Sequence, residues 1–171
     1  MYQDKFDSAK SAGSSTAGEP LSLARKLNLR VPVVSAPMFL VSGPELVVAA
    51  CKAGIVGAFP TPNARPIEVL DDWMKSITEQ LERAKDEQDP STIGAWCANV
   101  VTHSTNTRLA DDLKLLAKYK PPVVVTALGS PKPVIEVVQD YGGIVIADVI
   151  SLRLAEKAAQ AGADGLACIC A

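Results

Sequence analysis

The chain has 171 residues, a formal net charge of -2, and a composition 48% hydrophobic and 21% charged, which is apolar enough for one packed core. So small a charge, with no basic run and only 5% aromatic residues, excludes an electrostatic footprint for nucleic acid and a stacking platform for single strands. No apolar stretch is both long enough and free enough of helix breakers to be read as a bilayer span.

Residues 1–20, "MYQDKFDSAKSAGSSTAGEP", are rich in Ser, Gly and Ala and have no apolar centre. They read as a flexible leader rather than a signal peptide, with one domain over 21–171. From Val31 the chain alternates apolar runs with amphipathic stretches. The runs are "VPVVSAPM" (31–38), "IVGAF" (55–59), "IGAWCANVV" (93–101), "PPVVVTAL" (121–128), "GIVIADVI" (143–150) and "ADGLACICA" (163–171). They are nearly continuous in Val, Ile and Ala, the pattern of strands buried on both faces in a parallel sheet.

Helices are expected between the runs. "SGPELVVAACKAG" spaces Ser42 and Glu45 as a capping box, puts Pro44 in the first turn and ends at Gly54. "PIEVLDDWMKSITEQLERAKDEQDP" is the longest amphipathic stretch, with acidic residues on its solvated face. "PKPVIEVVQDYGG" stops at Gly142–Gly143, and "SLRLAEKAAQAG" starts at Ser151 and stops at Gly162. Cys51, Cys97, Cys168 and Cys170 lie in apolar segments without a C-x-x-C pair, which points to reduced thiols used in packing and to a cytoplasmic protein. Cys168 and Cys170 share one face of the last strand.

A repeated β-α order implies either a doubly wound sheet or a (β/α)8 barrel. The turn after the first strand, "SAPMFLVSGPE", contains neither G-x-G-x-x-G nor a P-loop. The expected fold is therefore an α/β (β/α)8 TIM barrel, of which the chain carries about six units.

Several segments then resemble one family. "VPVVSAPMFLVSGPELVVAACKAGIVGAFP", "WCANVVTHSTNTRLADDL" and "AEKAAQAGADGLACICA" are similar, in order and spacing, to the nitronate monooxygenases, formerly called 2-nitropropane dioxygenases. These are FMN-dependent barrels related to flavin-dependent enoyl-acyl-carrier-protein reductases. The resemblance implies FMN as cofactor and oxidation of alkyl nitronates by O2 to carbonyl compounds and nitrite. It places the family's catalytic histidine in an A-G-G-H run beyond Ala171, so no catalytic residue is assigned within the chain. Ile169 stands where many members carry Gln, which removes one amide from the flavin contacts.

The resemblance also implies that the backbone of Ala36, Pro37 and Met38 lies against the flavin ring. A plain tight turn ended by Pro37 is the alternative. Asn99 suits the alternating donors and acceptors of a flavin pyrimidine edge, or else caps the local backbone. Asp148 faces either the ligand pocket or the amides of the helix begun by Ser151. Thr126 and Ala127 line the pocket, or Thr126 bonds its own backbone. His103, the sole histidine, lies after the third strand, so it reads as a surface or capping residue, and one histidine does not make a His-rich metal site.

The partners expected are a small nitronate, O2 and further copies in a homo-oligomer. The competing readings are an NAD(P)H-dependent enoyl-thioester reductase and a non-catalytic, self-associating barrel fragment. Residues 1–171 alone are expected to associate through unpaired strand edges, to retain little FMN and to leave nitronates unoxidised.

Overall fold

The computed structural model describes residues 22–169; the leader over 1–20, Leu21, Cys170 and Ala171 lie outside them. The order is α1 (Leu23–Lys26), β1 (Val34–Ser35), α2 (Pro44–Lys52), β2 (Val56–Pro60), α3 (Ile67–Glu87) and β3 (Trp96–Val101). It continues with α4 (Leu109–Tyr119), β4 (Val123–Ala127), α5 (Lys132–Asp140), β5 (Ile144–Val149), α6 (Leu152–Gln160) and β6 (Gly165–Cys168). The strands pair in parallel and in strict sequential order, β1 to β6. Six such strands, curled and backed by helices, form an arc of a (β/α)8 barrel.

Register divides the side chains between two layers. Ala58, Cys97, Val123 and Ile144 are successive partners across β2 to β5. They pack on the concave face with Val56 and with Leu27, which follows α1. The residues between them face the helices, where Phe59, Ala98, Val100, Val124 and Val145 join the larger core. α3 presents Leu70, Met74, Ile77, Leu81 and Ala84 to that core, a helical stripe spaced by four and three. Phe59 meets Trp73 edge-on at 5.8 Å between ring centroids and stacks with Trp96 at 6.5 Å.

Burial on both strand faces holds for β2 and β3 but weakens outward. In β5 the helix-facing residues Val145, Ala147 and Val149 are buried while Ile144, Ile146 and Asp148 are only half-buried. The first strand is also much shorter than the apolar run 31–38. Pro32 has no N–H for the ladder, and the Val33 N–H turns back to the Val31 carbonyl at 2.8 Å, so pairing starts only at Val34. α2 starts from Gly43 without a side-chain cap, not from the expected Ser42–Glu45 box. Ser42 has another partner, described below. The Ser151 cap is present: its hydroxyl accepts from the Leu154 N–H at 3.4 Å.

α2 lies unusually close to β2. A methyl group at Gly57 would overlap the carbonyl of Val47, so hydrogen is the only side chain the crossing admits. Among the described residues no helix is long and apolar enough to cross a membrane.

Cys51 and Cys97 are fully buried, whereas Cys168 is exposed. Burial pushes both inner thiols from 9.0 up to about 12, which keeps them protonated and unreactive.

Three outcomes follow. Gly57→Ala should lower stability by about 1–3 kcal/mol, the usual cost of overpacking, measured as a lower urea midpoint. Thiol labelling at pH 8 should modify Cys168 while Cys51 and Cys97 react only on unfolding. Because their folded values are raised, the two buried thiols favour the fold below pH 9, and that contribution disappears as the pH climbs toward about 12. Replacing both by Ala should flatten the alkaline arm of the stability–pH curve over that window.

Candidate active site

At the carboxyl ends of the strands the concave face opens into a mouth, the position at which parallel α/β sheets bind ligands. Asn99, Val125, Ile146 and Gly165 form one register row across β3 to β6. The next row outward contains Val101 paired with Ala127, and Asp148 paired with Ala167. Asn99 and Asp148 are thus the polar members of two adjacent rows that are otherwise small or apolar.

Asn99 is 7% exposed; its Nδ2 donates to the Val125 carbonyl at 3.3 Å, and its Oδ1 accepts no hydrogen bond among the described residues. Asp148 is half-buried, with neither a hydrogen bond nor an ion pair among the described residues, and burial raises its carboxyl above the usual range. It does not cap α6, because the Ser151 hydroxyl does so.

Thr126 is separated from this set. It pairs with Val100 and Ala147, so its side chain is on the helix-facing side of β4. It is 2% exposed and its Oγ1 has no partner. Alternation along a strand therefore puts Ala127 at the mouth and Thr126 behind it.

The turn Ala36–Pro37–Met38 is built by two residues that its own sequence does not advertise. The Ser42 hydroxyl donates to the Ala36 carbonyl at 3.1 Å and accepts from the Met38 N–H at 3.0 Å. Asn63 reaches over from the loop after β2. Its Nδ2 donates to the carbonyls of Met38 at 3.0 Å and Ser42 at 2.8 Å, and its Oδ1 accepts from the Leu40 N–H at 2.9 Å. Pro37 has no N–H and that of Met38 is occupied, so this turn offers a ligand surface more than donors. Leu40 sits at φ 62°, a left-handed conformation that these bonds hold in place. The Met38, Phe39, Leu40 and Val41 side chains are exposed around the mouth.

Asn63 is itself held by a buried charge. Asp112 on α4 is fully buried, and its Oδ1 accepts from the Arg108 Nε at 2.9 Å. Its Oδ2 accepts from Asn106 at 3.3 Å and from Thr61 at 3.4 Å. Burial raises this carboxyl, opposed by the adjacent guanidinium and hydrogen bonds. The rest of the Arg108 fork donates to the carbonyls of Thr61, Ala64 and Arg65, which encloses residues 61–65 and hence Asn63. Asn106 also donates to the Val101 carbonyl at 2.8 Å, tying the end of β3 into the cluster. The one sequence signal was the Arg108/Asp112 spacing of four on a helix.

His103 lies at the same mouth, exposed, with Nδ1 accepting from the Thr105 N–H at 3.3 Å. It caps its own loop.

Removing the guanidinium tests this cascade. Arg108→Ala should cost about 3–5 kcal/mol, because it leaves a buried carboxylate without its cation. Asn63→Ala should be milder, about 1–3 kcal/mol, and should accelerate amide exchange at Met38 and Leu40 while leaving β4 protected.

No family model matches the chain. A Saccharomyces cerevisiae protein named "Putative nitronate monooxygenase" is 21% identical over 191 residues, covering 86% of this chain and 47% of that protein. FabK from Thermotoga maritima superposes with a TM-score of 0.69 at 23% identity, over 87% of this chain and 43% of that one. Nitroalkane oxidase from Streptomyces ansochromogenes gives 0.61 at 19% identity, over 84% and 47%. These structural likenesses establish the fold. The chain spans about half the length of the relatives it matches.

Proposed function

We propose that these residues form the N-terminal part of an FMN-dependent oxidoreductase barrel acting on alkyl nitronates. The observation that carries the reading is Asn99 together with Asp148. Two polar side chains with unused acceptor capacity face the mouth from register rows that are otherwise small or apolar. The Asn99 Oδ1 accepts nothing among the described residues, so a ligand N–H that reaches the mouth can use it. The resemblance of the segments around Ala36, Asn99 and Gly165, and the yeast relative's name, support a flavin as that ligand.

The fit is one of shape and hydrogen bonding. Ala36, Pro37 and Met38 present a flat apolar edge, fixed by Ser42 and Asn63, against which a planar ring can lie. Asn99 supplies one free acceptor, and Ala127 permits close approach from β4. FMN, when bound, supplies the electron-accepting and oxygen-reactive centre that no side chain provides. The chain's own residues bind and orient: Asn99 holds a ring edge, and the exposed residues Met38 to Val41 exclude water from one side. Asp148 is the carboxyl at the mouth, and burial raises it above the usual carboxylate range. The substrate, O2 and any homo-oligomer belong to this proposal, as does activity of a whole barrel.

FMN titration of residues 1–171, followed by quenching of flavin fluorescence, tests the reading. Weak binding is expected, with Asn99→Ala about tenfold weaker, equivalent to about 1.4 kcal/mol for one hydrogen-bonded edge. Equal affinities for wild type and variant would remove Asn99, and with it the flavin reading of this mouth.

A further inference from the structure

A further concavity lies between α5 and α6 and reaches the rim of the mouth at Ala127 and Asp148. α3 packs on α4 and α4 on α5, but α5 and α6 lack comparable packing. Small side chains line the gap on that side: Ala158 of α6 and Ala161 just after it. The result is a slot of about 980 Å3, within the range of small-molecule sites. Its floor is the helix-facing side of β5, Ala147 and Val149, and Leu154 is on one wall. Outside the slot's lining, Gln139 of α5 donates to the Gly162 carbonyl at 3.0 Å and to Asp164 at 3.2 Å, which ties α5 to the turn after α6. The slot opens at the strand termini, beside Leu128, Ser130 and Ile150.

The charges lining this slot are Lys132 on α5, Lys157 on α6 and Asp148 at the opening. On α2, α3 and α4, Lys52, Lys75, Lys85, Lys114 and Lys118 each pair with a carboxylate, whereas Lys26 on α1 pairs with none among the described residues. Lys132 and Lys157 make no ion pair among the described residues. The slot therefore combines an apolar floor with a net positive lining.

We infer that the α5–α6 slot binds an aliphatic anion, its unbranched chain along Ala147, Val149 and Leu154 and its head attracted by Lys132 and Lys157. The apolar floor favours the chain through burial, and the two ammonium groups select a negative head over a neutral one. Asp148 belongs by register to the concave face of β5, so its carboxyl meets this slot only at the rim. A carboxylate serves as the probe because it is a planar, singly charged head, a geometry that a nitronate shares. The slot meets the mouth at Ala127 and Asp148, but its test uses no flavin, so failure here leaves the flavin reading intact.

The experiment is calorimetric titration of the 171-residue chain with decanoate, decanol and butyrate, with methyl NMR of the unmodified protein. Decanoate should bind at least tenfold more tightly than either comparison compound and should shift the methyl signals of Ala147, Val149 and Leu154. The double variant Lys132→Gln, Lys157→Gln, at two exposed helix positions, should lose at least tenfold for decanoate and leave decanol unchanged. Ala161→Leu should weaken both ligands by filling the slot. Circular dichroism checks that each variant keeps its helices. Decanol binding as tightly as decanoate, decanoate binding that leaves those methyls unmoved, or no decanoate binding would each overturn the proposal.

Discussion

One buried charge holds the mouth of this molecule together. Asp112 cannot be solvated where it sits, so its carboxylate must be matched by Arg108, Asn106 and Thr61. Matching it fixes the guanidinium, and the guanidinium gathers three carbonyls of the loop after β2. That loop carries Asn63, which shapes the turn after β1. Three loops from three β/α units are thereby set by a single desolvated group. A surface ion pair would not have this reach, since water would compensate each lost contact.

The barrel architecture separates this machinery from the mass of the core. The large residues that stabilise the arc, Phe59, Leu70, Met74 and Ile77 among them, lie between sheet and helices. The concave face carries smaller ones, and its outer rows end in Asn99, Ala127 and Asp148. Strand alternation enforces the division residue by residue, which is why Thr126 and Ala127, adjacent in the chain, serve different layers. Small groups on the concave side leave room for a ligand, whereas small groups on α6 leave room for a slot. The same economy of side-chain volume produces both concavities.

The six-unit arc, its helix order and the caps at Gly54, Gly142, Gly162 and Ser151 were legible in the sequence. Each rests on interactions within a few residues: continuous apolar runs mark buried parallel strands, and glycine at φ 82° to 95° ends a helix where other residues are strained. The resemblance added the flavin expectation, and the register rows gather Asn99, Ala127 and Asp148 at one end of the sheet. Helix α4 was harder to see, because Arg108 at its start makes no side-chain cap.

What only the tertiary structure decided is where hydroxyls and amides spend their hydrogen bonds. Ser42 fits a capping box by spacing, yet its oxygen turns to Ala36 and Met38 because the turn brings them within 3.1 Å. Asn63 has no local signal at all; its partners are 21 to 25 residues away. The gap between α5 and α6 is equally invisible locally, since it depends on which face of α6 meets the sheet. Local sequence determines which elements form because the relevant energies are set within a turn or a strand. The site depends on pairings between loops that become neighbours only after the sheet has curled.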